Sequence, residues 1–491
     1  MALFLLGLVI LFVGYFTYGK LVERQVEPDG RITPAVKLHD GVDYVSLPHW
    51  KNMLIQLLNI AGVGPVIGVI LGVKFGSIVF IIIPIGNIIA GATHDFLSGM
   101  MSLRNDGANL PFLIRANLGK VYYGIFSAFM AFLLLLVVAV FINVPAGLFA
   151  GMIPLKGVFW TSVVLIFVYY IAATLFPIDK IIGRAYPVFG ALLVIGTFII
   201  FVTLMIECAG NPSLLAESDA FRANMWNTEN GHPIIPLLFV TISCGIISGF
   251  HATQSPIIAR TMVSERQAKS SFYGMMVLEG VIAMIWAAAG LAIYNIFPEQ
   301  MKESPTSVLI DITTYFLGSG IGAITVLGII ILAITSGDTA MRSLRLSMAE
   351  IAGISQKKIG SRLLLCMPII VIVAILLWWS NTGKESFAQL WNYFAWGNQV
   401  LAASTLMAAS VWLFRRRKNG LIAMVPGMFM MFIVLSYIIW ISPTHGGPPG
   451  FGLDLEVSYA LAIIFTLAIS AWVWKRGHKS NPKNSKGDDN F

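Results

Sequence analysis

The sequence predicts an all-α integral membrane protein of about thirteen transmembrane helices, and three observations carry that reading. Of the 491 residues, 57% are hydrophobic and 11% charged, with a mean hydropathy of +0.81, whereas soluble domains carry about 25% charged residues. Apolar runs of roughly 20 residues, the length that crosses a bilayer as a helix, recur along the chain. They lack the alternation that marks a β-barrel. Finally, Lys and Arg sort by side. With the N-terminus outside and the C-terminus cytoplasmic, 27 of the 32 fall in cytoplasmic segments, and only Lys74, Lys156, Arg222, Lys302 and Lys384 stay outside. That is the positive-inside pattern of a multi-pass protein. The net charge of +8 therefore reports topology and gives no sign of a nucleic-acid partner.

The expected spans, numbered α1 to α13, cover about 2–18, 49–72, 77–101, 122–146, 157–176, 187–207, 234–258, 272–296, 318–341, 362–379, 386–413, 420–441 and 457–474. α1 has no basic residue before Lys20, so it lacks the charged start of a signal peptide and reads as a retained helix. α2 contains "NIAGVGPVIGVILG" (59–72), four glycines and a proline inside an apolar run. α3 to α6 are apolar and are followed by a polar loop at about 208–233. α7 contains "SCGIISGFHATQSPIIAR" (243–260), again broken by Gly and Pro. α8 to α11 repeat the count of four, α12 and α13 follow, and 475–491 reads as a disordered basic tail. The chain is a single transporter-like domain. It divides into an N-terminal helix and loop (1–48), a five-helix unit (49–207), a second five-helix unit (233–413), two closing helices (420–474) and the tail.

α2 and α7 are five spans apart and so cross the membrane in opposite directions. Two units of five, each starting on a broken helix, are the pattern of an inverted-repeat secondary transporter, whose site lies at the breaks. The alternative for each break is glycine packing at helix crossings. A break at 245–249 frees a helix N-terminus at Phe250, His251 and Ala252. Its N–H groups and dipole hold an anion without a basic side chain. Gly62 and Gly64, just before Pro65, supply the counterpart in α2. The expected substrate site is thus Ala61, Gly62, Gly64, Pro65, Gly245, Gly249, Phe250, His251, Gln254 and Ser255, walled by Asn398 and Gln399 of α11. A carboxylate ligand explains the glycines and proline.

Ionisable residues inside spans mark proton paths or buried partners. His251, Asp338 and Glu279 are the proton-coupling candidates, His251 because its ordinary pKa lies near neutrality. Against these stand a histidine satisfied by a carbonyl and a local Asp338–Arg342 pair at i,i+4. Asp40, Asp43, His94, Asp95 and Arg104 gather near the inner membrane face as an expected gate of ion pairs, or as solvated interfacial charges. Cys208, Cys244 and Cys366 have no motif spacing, so neither a disulfide framework nor a metal site is expected. Walker, nucleophile-elbow and HExxH motifs are not found, which argues against an enzyme and against a cofactor.

Five blocks together resemble the carbon starvation protein family: "HDGVDYVSLPHW" (39–50), "NIAGVGPVIGVILG" (59–72), "GATHDFLSGMMSLRNDG" (91–107), "TISCGIISGFHATQSPIIARTM" (241–262) and "FAWGNQVLAAST" (394–405). The resemblance covers residues 30 to about 410. That family is similar in architecture to the amino acid–polyamine–organocation superfamily, which implies a LeuT-like 5+5 fold in the cytoplasmic membrane of a prokaryote. It also implies uptake of pyruvate or of peptides. By the same resemblance α9 faces the α2 break, and Thr335 and Ser336 with the carbonyls of Ala61 and Gly64 form a possible sodium site. The chain is shorter than many members, and it reads "ITSGDTAMRSLR" where a threonine-rich run is expected. The expectation is a secondary transporter that imports a small carboxylate, pyruvate ahead of peptides, by proton (H+) symport with alternating access. The alternative is peptide uptake coupled to Na+, and both departures bear on substrate and coupling ion. A nutrient sensor or channel is the alternative of another class, and the oligomeric state is not legible.

Overall fold

A computed structural model describes residues 1–41, 43–175, 178–225, 231–356, 358–383 and 385–479, with the backbone alone for 178–189. Most of the expected tail (480–491), and 226–230 of the polar loop, lie outside the described residues.

The described chain is helical, with one isolated bridge, Leu47 to Met262, and no longer strand. Among the described residues ten helices are long and apolar enough to cross a membrane, eleven if the bent pair in α2 is one span. The expected count of about thirteen is recovered only by adding α7 and α11. α7 is divided into pieces too short to pass alone. α11 (Ser386–Arg415) is interrupted by Asn, Gln, Ser and Thr side chains that lower its hydropathy. Boundaries also move. α1 continues past a discontinuity at Thr17 to Val26, and α6 spans Ile178–Gly210. α13 runs Leu455–His478, so the first residues expected in the tail are helical. α9 is recorded as Pro305–Ala352, but Gly318 (φ 71°, ψ 169°) divides it where the expected span begins. The left-handed φ suits glycine, which has no Cβ to clash.

The remaining spans are α3 (Val79–Leu103), α4 (Lys120–Met152), α5 (Val158–Leu175), α8 (Glu265–Ile296), α10 (Ile359–Trp379) and α12 (Leu421–Trp440). α9 lies along α4, α11 along α12, and the second half of α7 sits between α3 and α11. Small residues let the backbones approach, as expected where no hydrophobic effect drives helices together. A methyl built on Gly7 of α1 would stand 2.4 Å from the carbonyl oxygen of Phe80. Side chains on the outer faces of α5 and α10, such as Leu165, Ile375 and Trp378, are exposed, as lipid-facing residues are.

Candidate functional site

Both broken spans are broken in the structure. In α2, His49–Ile60 and Gly64–Phe75 meet at 53°, and Ala61 leaves the helical region with ψ 51°. In α7, Ile247 (φ −165°, ψ 133°) and Ser248 (φ −131°, ψ 125°) are extended between Ser243–Ile246 and Gly249–Ala259.

The glycines divide between two jobs. Gly64, Gly68 and Gly72 form a stripe at i,i+4 along the second half of α2. Methyls there would stand 2.5 Å from Sγ of Cys244, 2.9 Å from the carbonyl oxygen of Thr241 and 2.0 Å from Ile242. Gly245 packs against Val69 and Ala283, and Gly249 against the backbone of Asn398 and Ala402. These are helix crossings, so Gly64, Gly245 and Gly249 hold the broken spans together. Gly62 is different. A methyl built there would stand 3.3 Å from Oγ of Ser336 and 3.4 Å from the ring of Phe141. Phe141 in turn lies 6.1 Å from Phe250 and 6.0 Å from Phe394, ring to ring. An aromatic cluster from α4, α7 and α11 thus sits next to the α2 break.

The N-terminus freed in α7 is capped from α11. The backbone N–H of Phe250 donates to Oδ1 of Asn398 at 3.1 Å, and the hydroxyl of Ser248 donates to the same oxygen at 3.3 Å. Nδ2 of Asn398 is buried with no partner among the described residues. Gln399 donates to the carbonyl of Phe239 on the first half of α7. Gln254 donates to Thr253 and to Ser343 of α9, and its Oε1 is left without a partner.

His251, on the first turn after the break, organises a buried polar cluster. Its Nδ1 meets Oδ2 of Asp95 at 3.1 Å, and Nδ1 of His94 meets the other carboxylate oxygen at 2.8 Å. Nε2 of His251 lies 3.9 Å from Oε1 of Glu279. One turn further along the paired helices, Ser98 and Ser255 exchange a hydrogen bond at 2.9 Å. All six side chains are buried. An ionised Asp95 can accept from both imidazoles when each carries its hydrogen on Nδ1. Nε2 of His94 and both oxygens of Glu279 have no hydrogen-bond partner among the described residues. The group thus brings ionisable side chains of α3, α7 and α8 together in the bundle.

Other candidates fall elsewhere. Asp338 receives the Tyr169 hydroxyl at 3.3 Å and lies 3.7 Å from Arg342, the local i,i+4 arrangement, with no recorded contact to His251. Thr335 donates to the carbonyl of Leu332, while Ser336 donates at 3.3 Å to that of Leu58, one turn before the α2 break. Hence Ser336 reaches Gly62 as the resemblance implies, although its proton is directed to a helix carbonyl. Among the described residues no group of three or more His, Cys, Asp or Glu is arranged to hold a metal ion.

The expected gate set does not assemble. His94 and Asp95 turn into the bundle to meet His251. Asp40 instead caps a local turn, accepting from the backbone N–H groups of Asp43 and Tyr44. Arg104 forms the ion pair, but with Glu265: Nε to Oε1 at 3.1 Å and Nη2 to Oε2 at 3.0 Å. Arg31 stands 3.6 Å from the same carboxylate, and the N–H of Asp29 donates to it. Glu265 and Phe141 were not singled out by sequence. The pairing of α3 with α7 left a signal in hindsight: Asp95 and Ser98 at i,i+3 match His251 and Ser255 at i,i+4 on two otherwise apolar faces.

The profile of the family described as Carbon starvation protein CstA matches residues 1–210, 149–316 and 311–437. A protein of Haemophilus influenzae, named an uncharacterized membrane protein, is 40% identical over 350 residues, which cover 61% of this chain and 93% of that one. The peptide transporter CstA of Escherichia coli is 23% identical over 585 residues, covering 92% and 81%. That of Helicobacter pylori strain 26695 is 25% identical over 545 residues, covering 86% and 79%. Among solved structures, the manganese transporter of Eremococcus coleocola superposes with a TM-score of 0.54 at 14% identity over 90% of this chain and 99% of its own. A Na+-coupled sialic acid symporter superposes with 0.51 at 13% identity over 94% and 97%. At such identities the likeness concerns the fold, that of an all-α membrane transporter.

Proposed function

The chain belongs to the carbon starvation protein CstA family, and from that premise we propose that it is a proton-coupled secondary transporter that takes up short peptides by alternating access. The observation that carries the proposal is the buried His94–Asp95–His251–Glu279 group placed on the first turn after the α7 break. A substrate carboxylate would replace Asn398 at the N–H groups that open Gly249–Ala259. Its ammonium group would find Glu279, whose oxygens have no hydrogen-bond partner among the described residues. The relatives named peptide transporters support that substrate class. The proton would ride on the same group of side chains, so that binding and protonation are linked. In this reading α2–α6 and α7–α11 are inverted five-helix units, the end rich in Lys and Arg faces the cytoplasm, and Arg104–Glu265 closes that end.

Pyruvate is the second reading, and one observation favours it. The groups directly at the α7 break are backbone N–H groups and the Asn398 amide, which suit a carboxylate and a ketone and call for no amine. Competition binding to the purified protein separates the two. Dipeptides displacing a bound labelled dipeptide, with pyruvate inert at the same concentration, is the expected result. Pyruvate binding in the absence of any dipeptide binding overturns the peptide reading and leaves the transporter reading standing.

A further inference from the structure

Away from the broken helices, α4, α11, α12 and α13 enclose a groove of about 690 Å³. Its wall is apolar, built by Trp396, Val400, Leu435, Ile438 and Ile469. It opens sideways: Val121 and Ile125 on its rim are among the most exposed large apolar residues described, and Trp472 beside them is exposed too. From Ile469 to Arg476 it extends along α13 for roughly 10 Å, at 1.5 Å per residue. A ligand reaching it therefore arrives through the bilayer and not from water.

The charged end of the groove is built around 115–120, the segment that leads into α4. Arg476 donates from Nε to the carbonyl of Asn117 at 2.6 Å. A methyl on Gly119 would stand 2.7 Å from its Nη2, so the absent side chain lets the guanidinium lie over the start of α4. Arg415 donates to the carbonyl of Ala116 at 2.9 Å, and Lys120 lines the groove beside Arg476. None of Arg115, Lys120, Arg415 and Arg476 pairs with a carboxylate among the described residues. By contrast, Lys37, Arg104, Lys269 and Lys418 at the same face all do. The α4 N-terminus, with no side-chain cap, adds its dipole to this field.

We propose that this groove is a binding site for one anionic glycerophospholipid, its phosphate held by Arg476 and Lys120 and its acyl chains laid along α11, α12 and α13. A zwitterionic lipid brings a cation together with its phosphate to a region that already holds four. An anionic one supplies the missing charge where lipid is the surrounding solvent, and each basic residue at a membrane surface contributes about 1 kcal/mol toward an anionic headgroup.

The test is the lipid retained by the purified full chain after exchange into vesicles of equal dioleoyl phosphatidylglycerol and dioleoyl phosphatidylcholine, counted by native mass spectrometry. The wild type retains one phosphatidylglycerol in clear excess over phosphatidylcholine. R476Q and K120Q each lower that ratio about five-fold, the fold-change equivalent to about 1 kcal/mol per charge. I125W, on the exposed rim, lowers retention of the bound lipid with the charges intact and without touching the core. It keeps the test valid should R476Q not fold. Glycerol 3-phosphate in excess leaves the bound lipid in place. Equal retention of the two lipids by the wild type overturns the proposal, as does a wild-type ratio in K120Q or wild-type retention in I125W. Displacement by glycerol 3-phosphate also overturns it, in favour of a site for free phosphate. None of these readouts depends on transport.

Discussion

His251 and Asp95 stand 156 positions apart in the chain and meet at 3.1 Å inside the bundle. The contact joins the first turn after the α7 break to a helix that is continuous there. A change in the charge of either partner is therefore felt at the break itself. Asp95 also holds His94, and His251 also faces Glu279, so four ionisable side chains share one buried site.

Glu279→Gln tests the far end of this group. Glu279 is fully buried and its oxygens have no hydrogen-bond partner among the described residues, so the amide costs no recorded bond and the protein stays folded. The expected outcome is uptake whose rate against external pH loses one titration step relative to the wild type. An unchanged pH profile would remove Glu279 from the proton path.

Glu265→Gln weakens the ion pair with Arg104. Breaking a buried pair costs about 3–5 kcal/mol, which falls here on the contact between the α7–α8 loop and α3. We expect a cysteine at Ser255, in a background without the three native cysteines, to react faster with a maleimide applied at the basic face in E265Q than in the parent. Equal rates would mean that the pair braces the loops without controlling access.

Gly249→Ala probes the helix crossing. Its methyl would stand 2.3 Å from Cβ of Leu401 and 2.4 Å from the carbonyl oxygen of Asn398, and overpacking of this kind costs about 1–3 kcal/mol. Gly124→Ala, where nothing lies within 4 Å, is the control and is expected to be neutral or to stabilise by about 0.5–1 kcal/mol through helix propensity. Thermal unfolding in detergent should separate the two; equal midpoints would contradict the packing.

Phe141→Ala opens the space between Gly62, Phe250 and Phe394. Substrate affinity in the binding assay should change at least several-fold while His251-dependent coupling persists. An unaltered affinity would place the substrate away from the α2 break.

The helices and both breaks were legible in the sequence because their signals are local: apolar run length, and Gly and Pro at mid-span. The roles of the glycines were only half legible. Nothing in "GVGPVIGVILG" separates Gly62, which faces Ser336 and Phe141, from Gly64, Gly68 and Gly72, which face α7. The position of His94 and Asp95 was misjudged for a related reason. Sequence gives their depth along α3 but not the helix they face, and both turn inward to α7. Arg104 pairs with Glu265, 161 residues away, beyond any spacing rule.

We propose that the His251–Asp95 contact couples a proton to substrate movement. Its most direct test is labelled dipeptide uptake into proteoliposomes carrying wild type or His251→Asn, measured once with an imposed inward proton gradient and once as substrate exchange without one. The account predicts that the wild type accumulates substrate on the gradient, and that the variant keeps exchange but loses accumulation. Full gradient-driven accumulation by His251→Asn would contradict it.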